Sequence, residues 1–205
     1  MFCPGCKCDF IGWKGKCPVC KKTMVEKYFP RFQPRGKIID YEGLAELVGE
    51  SGGRLEMELT AAEVGKARRF RFPYIGYGFA WTKRMKGNQD NFPVELWTTE
   101  VGIDKVWTFP YFGHGFAREQ KMIGFVGGNE ITLVANEIAR EKKWGFPYRG
   151  YGYGWTMEMS GKCGDLLQGR LITTKAGRKK EWQFPYQGYG YAWADRATLT
   201  LSLNK

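Results

Sequence analysis

Histidine is nearly missing from this chain: among 205 residues only His114 carries an imidazole. A histidine-rich metal centre is therefore excluded, and an imidazole relay has a single member. Two further catalytic signatures are absent, the phosphate-cradling G-x-x-x-x-G-K-[ST] and the nucleophile elbow G-x-S-x-G, and no carboxylate pair recurs in register. These gaps argue against an enzyme. No apolar run approaches bilayer-spanning length, so no membrane partner is expected. Cysteine chemistry begins at Cys3 with no secretory segment ahead of it, and the expectation is a cytoplasmic, reducing setting.

Leucine-rich helical patterning is scarce as well, whereas aromatics reach 16% and glycines number 28. That is the composition of a β protein. The formal charge is +11, with 9 Lys/Arg against 6 Asp/Glu in residues 1–50 and 23 against 15 in residues 51–205. The excess is spread along the chain with no basic tail. It favours a polyanionic partner, RNA or single-stranded DNA above all.

The amino terminus reads "CPGCKCDFIGWKGKCPVC". Cys3 and Cys6 form one C-x2-C knuckle, Cys17 and Cys20 the second, ten residues on. Two such knuckles bring four thiolates around one tetrahedral ion, so one structural Zn²⁺ is expected, in a closed site with no open position for catalysis. The layout resembles the short CPxC-x10-CPxC zinc ribbons that open many prokaryotic proteins. The resemblance implies a structural element that can also dock onto a protein complex. Cys8 is a fifth thiol beside the set, and Cys163, in "SGKCGD", reads as a free loop thiol.

This divides the chain into a zinc ribbon over 1–24, a linker over 25–53 and a repeat domain over 54–205. Within the linker, "KYFPRFQPRGK" has two prolines and reads as extended. "DYEGLAELVGESGG" predicts one short helix capped by Asp40 and ending near Gly49.

The remainder repeats. Phe72, Phe109, Phe146 and Phe184 stand 37, 37 and 38 residues apart, each followed by Pro-Tyr and then by two glycines at fixed offsets. Each copy holds an alternating strand such as "RLEMELT". A turn is expected next, at "EVGKAR", "EVGIDK", "EIAREK" or "KAGRKK", followed by a strand running into Phe-Pro-Tyr, where proline should bend the chain. The glycine-aromatic strand follows. The predicted architecture is mostly β: an antiparallel, barrel-like domain of four repeats with pseudo-fourfold symmetry, a small β-propeller being the alternative.

In the glycine-aromatic strands, period two puts rings on one face and near-bare backbone on the other. The rings are Tyr77, Phe79 and Trp81 in the first copy, Tyr151, Tyr153 and Trp155 in the third, and Tyr189, Tyr191 and Trp193 in the fourth. In the second copy, His114 replaces the tyrosine, as a structural substitution. One reading makes these rings packing between units. In the other they are platforms for unpaired bases. "RGYGYGWTM", carried by Arg149, Gly150, Tyr151, Gly152 and Tyr153, is similar to the RNP1 signature of RNA-recognition motifs, and that likeness implies base stacking on strand-borne rings. Candidate phosphate contacts are Lys175, Arg178, Lys179 and Lys180, then Arg68, Arg69 and Arg71 of "KARRFR". In the first three copies Glu63, Glu100 and Glu137 should pair with Arg68, Lys105 and Lys142 across the predicted turn. A nucleic-acid binder is the leading expectation. The alternatives are a docking subunit of a larger complex, reached through the ribbon, and a repeat lectin.

Overall fold

The structure is a computed structural model and describes residues 2–3, 5, 8–10, 16–17, 20–21, 37–72, 75–89, 92–109, 111–146, 149–184 and 187–204. Two short strands, β1 (Phe2–Cys3) and β2 (Cys8–Phe10), precede one helix, α1 (Tyr41–Glu50). Eight long strands follow: β3 (Arg54–Arg71), β4 (Ile75–Gln89), β5 (Phe92–Thr108), β6 (Phe112–Val126), β7 (Asn129–Gly145), β8 (Arg149–Cys163), β9 (Leu167–Gln183) and β10 (Gln187–Leu203). Each pairs antiparallel with its sequence neighbours, and β10 pairs with β3, so the sheet closes into an eight-stranded barrel. Closure is a barrel's and not a propeller's, and the propeller alternative is set aside.

The expected turn at "EVGKAR" and its counterparts is not a turn. β3, β5, β7 and β9 run straight through those segments. The chain instead reverses between Arg71 and Ile75, Thr108 and Phe112, Gly145 and Arg149, and Gln183 and Gln187. The reversals thus coincide with the Phe-Pro-Tyr triplets. Each hairpin carries its irregularity mid-strand, as a paired register shift between Ala61, Glu63 and Val64 in β3 and at the matching places in β5, β7 and β10. Glu63, one of the expected pairing carboxylates, therefore takes other partners. Glu63 meets Arg84 at 2.8 Å and Lys83 at 3.3 Å, not Arg68.

Below these bulges all eight strands pair, and period-two alternation fills the interior with Leu55, Met57, Leu59, Leu96, Ile131, Leu133, Leu199 and Leu201. Helix α1 closes this end, burying Leu44 and Val48 in the same core. Asp40 accepts a hydrogen bond from the Gly43 N–H at 2.9 Å, the cap expected from the sequence. Cys163 is no loop thiol. It ends β8 fully buried in the barrel, and burial pushes its thiol up to about 11.

Above the bulges, strands pair only within hairpins, and β4, β6, β8 and β10 converge. A Cβ on Gly78 would lie 2.5 Å from the Gly190 oxygen, and one on Gly190 would lie 2.5 Å from the Gly152 oxygen. The same holds for Gly152 against Gly115 (2.6 Å) and for Gly115 against Gly78 (2.4 Å). Four backbones therefore touch in a closed cycle. The rings complete it: Tyr77 covers Gly113, His114 covers Gly150, Tyr151 covers Gly188 and Tyr189 covers Gly76. The bare face of one strand is the seat of the next strand's rings. Beneath this layer Glu119, almost fully buried, accepts hydrogen bonds from the backbone N–H groups of Thr82 and Thr156.

Glycine content thus has opposite value at different sites. Gly152→Ala should destabilise by on the order of 3 kcal/mol, because its methyl would meet backbone that cannot swing aside. Gly49→Ala in α1, with nothing within 4 Å, should stabilise by about 0.5 kcal/mol. Urea denaturation of both variants checks the contrast.

Candidate functional site

Three sets of sequence-predicted residues fall in three different environments. The first is the cysteine cluster. The Sγ atoms of Cys3, Cys17 and Cys20 lie within 4.8 Å of one another, with Cys3 and Cys20 3.2 Å apart. Cys6, the expected fourth ligand, lies outside the described residues. Convergent thiols of this kind can hold a soft metal ion. β1 pairs with β2 and β2 runs parallel to β5, aligning Asp9 with Glu100 and Phe10 with Val101. The amino-terminal segment thereby occupies the gap where β4 and β5 have separated. Cys3 and Cys17 pack there against Ile75, Tyr77, Phe79 and Trp81.

The second set, the rings of the glycine strands, faces inward. Tyr77, Phe79, Trp81, Tyr151, Tyr153, Tyr189 and Tyr191 are all buried, at 8% exposure or less. Trp155 and Trp193 are half-buried, beneath Arg178 (5.1 Å) and Lys66 (5.6 Å). The interior-packing reading accounts for them, because each ring must fill the volume that the neighbouring glycines leave empty. A base cannot reach the buried rings without displacing a strand.

The third set, the cations of the last copy, is mostly matched. Lys175 meets Asp195 at 3.5 Å, Arg178 meets Glu141 at 2.8 Å, and Lys179 meets Glu181 at 2.8 Å. Exposed pairs contribute little to stability, yet they cancel local field. Arg149 is engaged too, 4.1 Å above the Trp182 ring. Arg68 lies 3.5 Å from the Gln183 amide oxygen, while Arg69 and Arg71 line a cleft with Lys105.

The exposed aromatic surface lies elsewhere, at the hairpin tips. Phe72, Phe109, Phe146 and Phe184 are 83%, 78%, 79% and 78% exposed. Behind them stand Phe70, Trp107, Trp144 and Trp182, each about half exposed. Trp107 and Trp182 meet the tip rings of Phe109 and Phe184 edge to face, at 6.4 Å between centroids. Lys105, Lys142 and Lys180 are exposed two residues before these tryptophans. The result is a crown of rings interleaved with cations, at the end opposite α1. Comparison with family models, with curated proteins and with solved structures gives no match. The crown therefore has to be read from its own chemistry. A signal for it was present in the sequence: the same phenylalanine precedes proline in every copy, and a ring kept in a loop contributes little to a core.

His114 differs from the three tyrosines at its position in being able to gain a charge. Burial pushes its imidazole below the ordinary value, Lys142 pushes it the same way, and a backbone hydrogen bond involving Tyr151 opposes them. The protonated form is therefore favoured in the unfolded chain. Stability should be full above about pH 6.5 and fall as the pH drops through the window beneath it. His114→Tyr, which restores the residue of the other copies, should flatten that fall. Urea midpoints at pH 7 and pH 5 for both proteins test this.

Proposed function

We propose that this protein binds single-stranded nucleic acid, RNA or DNA, through the crown of hairpin tips. The carrying observation is the tip set itself: four phenylalanines at 78–83% exposure, each backed by a second half-exposed ring. Exposed large rings repeated at every hairpin tip of a charged protein mark a contact site. Ring faces offered singly around a perimeter suit unstacked bases, each stack contributing about 1–3 kcal/mol with little base preference. The neighbouring lysines and arginines would meet phosphates, in keeping with the +11 charge. This differs from the RNP1-like reading in the rings it uses. The platforms are the hairpin tips, and the glycine-strand rings hold them in place.

Two structural inferences accompany this reading. The four copies are related by a pseudo-fourfold axis through the glycine cycle, which would present the tips at regular intervals to a threaded strand. Cys3, Cys17 and Cys20, completed by Cys6, would bind one structural Zn²⁺. The convergence of three thiols supports this, and all-thiolate ligation suits zinc. Such an ion would pin the amino-terminal segment into the gap between β4 and β5. No catalytic role is assigned.

Metal analysis should return one zinc per chain, lost in Cys3→Ser and Cys17→Ser. Removing it with a chelator should shift tryptophan emission to the red as Trp81, now fully buried, gains water. Zinc content that survives both substitutions would place the metal elsewhere.

For the crown, fluorescence anisotropy with mixed-sequence oligonucleotides should show affinity falling steeply with salt. The fourfold substitution F72A/F109A/F146A/F184A should weaken binding by about 100-fold or more while leaving the melting temperature unchanged. Salt-independent binding, or binding indifferent to the four rings, would overturn the proposal. Co-purification with a protein complex in the absence of any oligonucleotide affinity would turn the crown into a docking face.

A further inference from the structure

The four junctions between neighbouring hairpins are built alike but charged very differently. At the first junction, two positions of one hairpin's outer strand line a cleft with a third on the next hairpin, and the repeat spacing gives their counterparts at the others. Between the β3/β4 and β5/β6 hairpins these positions are Arg69, Arg71 and Lys105, three cations. At the following junction they are Val106, Thr108 and Lys142, and at the next Lys143, Gly145 and Lys180. At the last they are Glu181, Gln183 and Arg68, where the charges cancel.

The three-cation junction is also concave. Arg69, Phe70, Arg71, Tyr77, Lys105 and Trp107 line a cleft of about 400 Å³. Phe70 and Trp107 are 50% and 52% exposed, leaving ring surface free for contact. Tyr77 lies deeper, at 5% exposure. Burial pushes its phenol up, against the pull of Arg71, so it stays protonated and can donate a hydrogen bond. Like charges are crowded in the cleft: Lys105 is pushed below its ordinary value by burial and then by Arg69. Crowding of this kind is relieved by an anion. Behind the cleft, the cysteine cluster packs on Tyr77 and Ile75, so a bound metal would stiffen one wall.

We infer that this cleft binds the terminal phosphomonoester of a nucleic-acid strand, with Arg69, Arg71 and Lys105 on the phosphate and Phe70 and Trp107 against the end base. A terminal phosphate carries close to two charges at neutral pH, where each internal diester carries one. Three convergent cations suit the former, and guanidinium groups meet phosphate oxygens two at a time. Rings beside the phosphate site match a nucleotide better than an inorganic anion. The inference rests on the nucleic-acid reading of the crown and adds recognition of a strand end to it.

The test compares one oligonucleotide in three forms: 5′-phosphorylated, 3′-phosphorylated and without a terminal phosphate. It uses the full chain and the double variant R69V/R71T. That variant installs the side chains that β5 itself carries as Val106 and Thr108, so the strand is asked to hold nothing foreign to this fold. One phosphorylated form should bind at least tenfold tighter than the unphosphorylated strand, which also assigns the polarity. R69V/R71T should lose that preference, binding the phosphorylated and unphosphorylated strands alike, with an unchanged melting temperature. Equal affinities for the three forms would overturn the inference and leave the crown reading intact, as would a preference that survives R69V/R71T. No binding to any of the three would remove both.

Discussion

Backbone-to-backbone contact between β4, β6, β8 and β10 is the constraint on which everything else depends. Gly78, Gly115, Gly152 and Gly190 approach one another so closely that a single methyl group would collide with a neighbour's peptide. Only residues without a Cβ permit this, and the rings of the adjoining strand then fill the space on either side. The aromatic content that first suggests a binding surface is therefore mostly spent on cohesion. Convergence has a second effect: inner strands drawn together at the centre cannot keep their inter-hairpin ladders, so each hairpin stands apart above the bulges.

That separation creates the exposed aromatic surface. Hairpins that share no ladder expose their tips, and the Phe-Pro-Tyr reversals put a ring at each. It also opens gaps. Between β4 and β5 the gap admits β2, which adds a short parallel pairing to β5 and brings the thiol cluster against Trp81 and Tyr77. Further out, the same gap becomes the cleft lined by Arg69, Arg71 and Lys105. The thiol cluster and the cationic cleft thus share one wall, and stiffness in the first would pass to the second through Tyr77. Glu119 makes a related point at the waist. Its buried carboxylate accepts from the N–H groups of Thr82 and Thr156, which sit beside the register shifts of their hairpins.

Much of the fold was legible because it rests on periods. Alternation in "RLEMELT" and "ATLTLSL" announces barrel strands, and Asp40 with the residues after it announces α1. The reversals were misplaced. Charged, glycine-bearing segments such as "EVGKAR" look like turns, yet long bulged strands tolerate them, and the chain reverses instead between strand ends such as Arg71 and Ile75. Once the reversals move, the ion pairs move with them, which is why Glu63 finds Arg84 and not Arg68. Cys163 was misread for a similar reason: small and polar neighbours suggest a loop, but the thiol points into the barrel.

By itself the sequence determined the local and the periodic: a β composition, a thiol set with metal spacing, a capped helix and a unit written four times. Those properties depend on residue type and interval alone. Which rings are covered, which cations are cancelled and which junction becomes a concave cluster of positive charge were decided only by the tertiary structure. Each of these depends on what a neighbouring hairpin, far away along the chain, brings within a few ångströms.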